Sequence, residues 1–206
     1  EFALKQNILQ FGNFTLKSGR QSPYFFNAGL FFTGDQLRIL GQFYAKTLRQ
    51  HKIEFDVLFG PAYKGLPLAT TTAVALSDAG LNIDVSFNRK EAKQHGEKGV
   101  LIGAPLKDKN VVMIDDVITA GTAYRESKTL IEAQGGKLVG VIVALDRQES
   151  STMGKNNAKQ STIDDIRQQD NLPVLSIASL QNIKSYLKHH DKTEQLDKII
   201  AYEKKR

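Results

Sequence analysis

Mostly apolar runs alternate with helical patterns along much of the chain, and this alternation restricts the fold more than any other feature. The runs predict strands at 56–60, 83–87, 111–115, 138–146 and 173–177. Apolar residues at helical spacing predict helices from residue 35, over 65–80 and over 122–134. Near-continuous apolar strands are typical of sheets covered on both faces. The pattern therefore predicts an α/β fold with a central parallel sheet flanked by helices.

The two ends of the chain depart from this alternation. An N-terminal helix stopped by Gly12 is predicted by the spacing of Phe2, Leu4, Ile8, Leu9 and Phe11. The aromatic stretch 22–32 predicts a strand and a turn, 88–98 and 148–160 predict polar loops, and two helical patterns close the chain. We expect one domain over 1–206, in which residues 1–33 contribute most of a small hood lobe.

Composition excludes several kinds of chemistry. The chain of 206 residues has no cysteine, so disulfides, thiolate catalysis and cysteine-ligated zinc are excluded. No run is long and apolar enough to predict a membrane span, and no export signal is visible, so we expect a cytoplasmic protein. The net charge of +6 is spread, with one cluster at 89–98. A small anionic substrate accounts for this balance as well as nucleic acid does, and we expect no nucleic-acid partner.

The sequence "VVMIDDVITAGTA" at 111–123 ends a buried strand on two acids, Asp115 and Asp116. Ligands of open α/β sheets bind beyond such strand ends, although a carboxylate that caps the next turn is the structural alternative. The small residues that follow let main-chain N–H groups approach a ligand, and the N-terminus of the next helix favours phosphate. Carboxylates that accept hydrogen bonds, next to a phosphate-binding loop, suit the hydroxyls and the phosphate of a ribose 5-phosphate. Neither a Walker A loop nor a dinucleotide-binding turn is present.

This motif resembles the phosphoribosyl pyrophosphate (PRPP) motif of the type I phosphoribosyltransferases. Four further stretches, at 14–29, 60–69, 87–99 and 144–149, resemble the orotate phosphoribosyltransferases in matching order. The resemblance implies phosphoribosyl transfer from PRPP to orotate in pyrimidine biosynthesis, with Mg²⁺ as cofactor. It also implies a homodimer in which the loop 89–99 is a lid that covers the partner's site.

The resemblance also implies the residues of the site. Lys93, Arg89, His95, Asp115 and Asp116 would be catalytic, with Lys93 the main contributor. PRPP would be bound by these five and by Lys17, Tyr63, Lys64, Lys90, Val117, Ile118, Thr119, Ala120, Gly121, Thr122 and Ala123. Orotate would be bound by Lys17, Phe25, Phe26, Thr119 and Arg147. Mg²⁺ would be held by PRPP and water near Asp115 and Asp116, without a direct protein ligand.

Each of these residues also has a structural interpretation. Lys17 and the 89–99 loop also fit a solvated surface, Phe25 and Phe26 a core, and Arg147 a surface salt bridge. Because neighbouring strand residues point to opposite faces, at most one of the two phenylalanine rings can stack on a base. Arg147 suits orotate because arginine matches a carboxylate bidentately.

Two other functions stay open at this point. A phosphoribosyltransferase for a purine is the nearest alternative, but a purine brings no carboxylate for Arg147. A PRPP-sensing regulator would keep the fold without the chemistry. Such a regulator would be expected to carry an added nucleic-acid-binding module and to have lost the charged residues of the lid. The loop 89–99 of this chain still contains its lysine and arginine residues.

Overall fold

A computed structural model describes residues 1–16, 19–93, 99–149 and 160–204, without the side chains of 91–93. The helices are α1 (Phe2–Lys5), α2 (Gly34–His51), α3 (Gly65–Asp78), α4 (Thr122–Ala133), α5 (Thr162–Gln169), α6 (Leu180–His189) and α7 (Thr193–Glu203), with a 3-10 turn at Ala28–Leu30. The strands are β1 (Leu9–Thr15), β2 (Gln21–Phe26), β3 (Val57–Gly60), β4 (Asp84–Lys93), β5 (Gly99–Gly103), β6 (Asn110–Asp115), β7 (Lys137–Asp146) and β8 (Val174–Ser179).

The central sheet has six strands in the order β5-β4-β3-β6-β7-β8. All neighbours are parallel except β5, which runs antiparallel to β4 at the edge. This confirms the predicted α/β sheet flanked by helices. Because the carboxyl ends of the parallel strands lie on one side of the sheet, the segments that follow β3, β6 and β7 all emerge on that side.

Residues of β6 alternate between two apolar cores. Val112 and Ile114 lie in the cluster that includes residues of α2 and α3. Val111 and Met113 lie in the opposite cluster, with residues of α4 and α5. All four are fully buried. β6 is therefore buried from Val111 to Ile114, and its last residue, Asp115, lies where the strand leaves the sheet.

The N-terminal segment differs from the prediction. The predicted helix ends at Lys5, because Asn7 takes a left-handed conformation with φ +55° and turns the chain. Residues 9–15 then pair with β2 in a separate two-stranded antiparallel sheet. The predicted helix over Leu9 and Phe11 is therefore wrong, since apolar residues at 8, 9 and 11 fit a strand as well as a helix. Leu9 and Tyr24 of this sheet pack in a cluster with residues of α6 and α7.

The segment predicted as a loop after residue 87 is also more ordered than expected. β4 runs on to Lys93, and β5 returns beside it, with Asn88 opposite Leu101 and Lys93 opposite Gly99. The arms of the 89–99 segment are therefore strands, and residues 94–98 between them lie outside the described part. Charged side chains on an edge hairpin give no apolar alternation, so the sequence pattern did not indicate these strands.

Candidate active site

The two acids lie where β6 leaves the sheet. Asp115 and Asp116 are 9% and 5% exposed. Asp115 Oδ1 accepts a hydrogen bond of 2.8 Å from the Asp116 N–H, and Asp116 Oδ1 accepts one of 3.0 Å from the Val117 N–H. The side chains thus order the main chain as it turns away from the strand, while both carboxylates stay together.

Burial controls the charge of Asp115. Burial first, and then the neighbouring Asp116 carboxylate, raises the pKa of Asp115 from 3.8 to about 7. Removing one carboxylate from water and placing a second one beside it both disfavour its ionised form. Asp115 therefore changes its protonation near neutral pH.

Lys64 connects the acid pair to a second predicted segment. Lys64 precedes α3, in the loop that follows β3. Its Nζ lies 2.7 Å from Asp116 Oδ2, and its side chain is 60% exposed while that of Asp116 is 8% exposed. The structure thus brings together a cation and a carboxylate that sequence motifs assigned to different parts of one ligand.

The loop 61–64 is a tight turn set by glycines. A Cβ on Gly60 would lie 2.3 Å from the carbonyl oxygen of Gly65, so only glycine allows the end of β3 to meet the start of α3 this closely. The peptide between Ala62 and Tyr63 is cis. Such a turn can present main-chain N–H groups at the sheet edge.

The same loop is tied to β4. The Ala62 N–H donates to Asn88 Oδ1 over 2.7 Å, and Lys90 Nζ lies 4.9 Å from the centroid of the Tyr63 ring. Tyr63 is 67% exposed. Sequence reasoning did not single out Asn88, which follows the predicted strand. Its contact links the loop 61–64 to the strand that leads into the 89–99 segment.

The segment 117–123 has the geometry of an anion site. Gly121 takes a left-handed conformation with φ +73° and forms the N-cap of α4. It has no side chain with which to cap the first N–H groups of the helix. Ile118 is buried and anchors the loop, whereas Thr119, Ala120, Thr122 and Ala123 are exposed. An N-terminus presented in this way favours a bound phosphate.

Arg147 lies at the carboxyl end of β7 but not at the surface. Arg147 Nη2 is 2.8 Å from Glu149 Oε1, and both side chains are 7% exposed. The guanidinium also lies 5.2 Å from the centroid of the Tyr24 ring in β2. The surface salt bridge considered from the sequence is therefore replaced by a buried ion pair. Glu149 was not singled out from the sequence, although its position two residues beyond Arg147 was a usable signal.

The two phenylalanines of β2 face opposite ways, as predicted. The Phe25 ring stacks on Phe14 with centroids 5.5 Å apart. Phe26 packs instead against Phe31, at 6.3 Å, on the side of the main core. Phe25 is thus the ring placed away from that core.

Some predicted site residues cannot be located. Lys17 and His95 lie outside the described residues, and for Lys93 only the main chain, in β4, is described. Arg89 and Lys90 are on β4, half-buried and exposed respectively.

Across the ranges 1–16, 19–93, 99–149 and 160–204, no group of three or more His, Asp or Glu side chains is arranged to hold a metal ion. Among the helices of the described residues, none is long and apolar enough to cross a membrane.

Comparison with known proteins gives a consistent result. The family model of the phosphoribosyl transferase domain matches residues 34–176. Two curated relatives named orotate phosphoribosyltransferase are 56% identical (Legionella pneumophila, strain Paris) and 53% identical (Aliivibrio fischeri, strain MJ11). The alignments cover 100% and 98% of this chain and 94% and 93% of the relatives.

A crystal structure of orotate phosphoribosyltransferase from Francisella tularensis is similar over almost its whole length. The TM-score is 0.88 with 41% sequence identity, over 99% of this chain and 96% of that one. The fold, the family-model match and the full-length similarity agree. The chain therefore belongs to the phosphoribosyltransferase family, and within it to the orotate phosphoribosyltransferases.

Proposed function

We propose that this protein transfers the 5-phosphoribosyl group of PRPP to orotate, giving orotidine 5'-monophosphate and pyrophosphate, a step of pyrimidine biosynthesis. One observation carries the proposal. A buried acid pair, the Lys64 cation and the open N-terminus of α4 lie on the edge of one sheet, in a chain 56% identical to a named orotate phosphoribosyltransferase.

Each part of PRPP has a matching group in this arrangement. Asp115 and Asp116 accept hydrogen bonds from the ribose hydroxyls, directly or through water. The segment 117–123 binds the 5-phosphate through main-chain N–H groups and the hydroxyls of Thr119 and Thr122. The diphosphate lies against the loop 61–64, where Lys64 exchanges its Asp116 partner for phosphate oxygens.

Further cations complete the diphosphate site in this proposal. Arg89 and Lys90 lie on β4, next to the loop 61–64 through the Lys90–Tyr63 contact. Lys93 and His95 follow Lys90 in sequence, and Lys17 stands between β1 and β2 in sequence. The roles of Lys17, Lys93 and His95 rest on the family resemblance.

Orotate lies between β2 and the end of β7. Thr119, Arg147 and the half-buried ring of Phe25 surround the pyrimidine, while Phe26 supports the two-stranded sheet from the core side. Arg147 is assigned to orotate by the resemblance and by its place at the end of β7 beside the Tyr24 ring. Its buried pairing with Glu149 holds the guanidinium in one orientation.

The chemistry requires no nucleophilic side chain. The bond between C1 of the ribose and the diphosphate oxygen breaks with its electrons going to pyrophosphate. A ring nitrogen of orotate forms the new bond to C1, and its proton passes to the leaving pyrophosphate. Positive charge develops on the ribose and negative charge on the leaving group. Catalysis then consists of positioning and electrostatic stabilisation. Lys93, with Arg89, Lys90 and His95, neutralises the leaving pyrophosphate.

The residues present fit Mg²⁺ held mainly by the substrate. Asp115 Oδ1 and Asp116 Oδ1 accept main-chain hydrogen bonds and Asp116 Oδ2 faces Lys64. These carboxylates are therefore engaged, although their oxygen chemistry suits Mg²⁺ and its water ligands. When bound near Asp115 and Asp116 by PRPP oxygens and water, Mg²⁺ would offset part of the diphosphate charge.

We further propose a cytoplasmic homodimer that shares its sites. The family resemblance supports the homodimer and the shared site, because in that family the segment corresponding to 89–99 covers the site of the neighbouring subunit. The edge position of the β4–β5 hairpin is compatible with such an exchange.

The loss of orotate absorbance with PRPP and Mg²⁺ tests the activity directly. We expect turnover with orotate and none with adenine or hypoxanthine. Asp115→Asn combined with Asp116→Asn should lower kcat/KM for PRPP in a protein shown to be folded. Turnover of a purine but not orotate, or binding of PRPP without any turnover, would overturn the proposal.

A further inference from the structure

Tyr44 reaches the acid pair from a helix that carries none of the predicted site residues. It lies in α2 and is fully buried. Its hydroxyl donates a hydrogen bond of 2.8 Å to the main-chain carbonyl oxygen of Asp115, 71 residues away in sequence. The contact is made beneath the acid pair, on the main chain rather than on either carboxylate.

The position of α2 is fixed by close packing one turn before Tyr44. A Cβ on Gly41 would lie 2.4 Å from the carbonyl oxygen of Thr71 in α3. Residues three apart share a helix face, so Tyr44 points to the same side as this contact. Because α3 begins directly after Lys64, the packing of α2 on α3 relates Tyr44 to both halves of the proposed PRPP site.

The sheet holds the end of β6 on one side only. β6 stays paired with β7 up to Asp115, but β3 pairs with β6 only as far as Met113. Beyond it, the carbonyl oxygen of Asp116 accepts from two consecutive N–H groups, those of Ala144 and Leu145, at 3.0 and 3.2 Å. The regular hydrogen bonding of β6 therefore ends at the two acids. A further hydrogen bond at this point fixes the direction in which Asp115 and Asp116 leave the sheet.

We propose that Tyr44 is a positioning residue that orients Asp115 and Asp116 toward the ribose of PRPP, an inference that rests on the proposed function. The hydroxyl does not touch the substrate and acts through the Asp115 main chain. Without it, a buried carbonyl loses its donor and the strand end shifts to find another. Burial and the nearby carboxylates raise the pKa of Tyr44 well above its ordinary value, so the hydroxyl stays a donor at neutral pH.

Tyr44→Phe tests this inference, because it removes one hydroxyl and keeps the ring. A neutral hydrogen bond of typical strength corresponds to about 2–10-fold in affinity. We expect KM for PRPP to rise by about that factor, while KM for orotate changes less than about twofold. Calorimetric titration with PRPP and Mg²⁺, without orotate, should show the same loss and does not depend on turnover.

Leu48→Val is the matched control on the same helix. Leu48 is buried in the same core cluster, so its truncation loosens packing while the hydroxyl of Tyr44 is kept. We expect this variant to lose stability without a selective rise in KM for PRPP.

Three results would overturn the inference: an unchanged PRPP affinity in Tyr44→Phe, an equal rise in both KM values, or the same selective change in Leu48→Val. The proposed function itself is decided separately by turnover of the unmodified protein with orotate.

Discussion

The ammonium group of Lys64 lies 2.7 Å from a carboxylate oxygen of Asp116, joining the loop after β3 to the acid pair after β6. In the proposed function these two groups serve different parts of PRPP. Lys64 binds the diphosphate, and Asp116 binds the ribose hydroxyls. Binding of PRPP therefore exchanges one internal ion pair for two sets of ligand contacts.

Lys64→Met should weaken PRPP binding much more than it weakens the fold. Lys64 is mostly exposed, so the ion pair should contribute at most about 1 kcal/mol to the free energy of unfolding. A hydrogen bond to a charged group contributes about 1.5–3 kcal/mol, which predicts a rise of about 10–100-fold in KM for PRPP. Steady-state kinetics and urea unfolding measure both quantities. Lys46→Met, on an exposed face of α2, is the control and should leave KM unchanged. Unaltered PRPP kinetics in Lys64→Met would contradict the assignment.

Asp115 should make the stability of the protein fall as pH rises toward neutrality. Its pKa is raised from 3.8 to about 7 in the folded protein, so between these values the folded state holds a proton that the unfolded chain releases. Each unit of such a difference corresponds to about 1.4 kcal/mol. Asp115→Asn removes this dependence while keeping an oxygen that can accept from the Asp116 N–H.

Urea unfolding of both proteins at about pH 5 and about pH 8 measures this effect. We expect Asp115→Asn to gain stability relative to the unmodified protein at the higher pH and to gain less at the lower one. A difference in stability that does not change with pH would show that Asp115 is ionised normally in the folded state.

Gly60→Ala should disrupt the loop 61–64. The added Cβ would lie 2.3 Å from the carbonyl oxygen of Gly65 and 3.1 Å from the Ala69 Cβ, so β3 and α3 must separate. Overpacking of this kind costs about 1–3 kcal/mol of stability. We also expect a rise in KM for PRPP that exceeds the change in KM for orotate. Gly34→Ala, where no atom lies within 4 Å of the added Cβ, is the control. A fully active, equally stable Gly60→Ala variant would show that the turn tolerates a wider spacing.

Lys93→Ala should mainly lower kcat, because its contact would strengthen as charge develops on pyrophosphate. The loss of one well-placed donor predicts a fall of about 10²–10³-fold, with a smaller change in KM. Mixing this variant with the Asp115→Asn, Asp116→Asn double variant tests the shared site. If the 89–99 segment serves the partner subunit, each hybrid dimer carries one intact site and regains up to half of the normal activity. Proven subunit exchange without recovered activity would mean that the segment covers its own subunit.

Residues 111–123 show how much of the structure can be predicted from local sequence. An apolar run followed by two acids and small residues predicted a strand, its end and a helix N-terminus. The structure has β6 ending at Asp115, Gly121 at φ +73° and α4 beginning at Thr122. These features depend on neighbours in sequence, and a one-dimensional pattern can therefore encode them. The single domain, the hood role of residues 1–33 and the roles of the site residues stay predictions.

Other parts depended on contacts between distant residues. Leu9 and Phe11 fit a helical pattern as well as a strand, and only pairing with β2 makes them part of a strand. The Lys64–Asp116 ion pair, the Ala62–Asn88 hydrogen bond and the buried Arg147–Glu149 pair follow from the order of strands in the sheet and from turns that no single motif specifies.

Local patterns were enough to predict the alternation of strands and helices, the family resemblance and the residue types available for PRPP. Packing of the chain then sets which of these groups meet, which are buried and what charge Asp115 carries. The pKa of Asp115 and the contact of Tyr44 with its carbonyl oxygen are the clearest cases. Both depend on distances across the fold and on the exclusion of water, and such quantities exist only once helices have packed on the sheet.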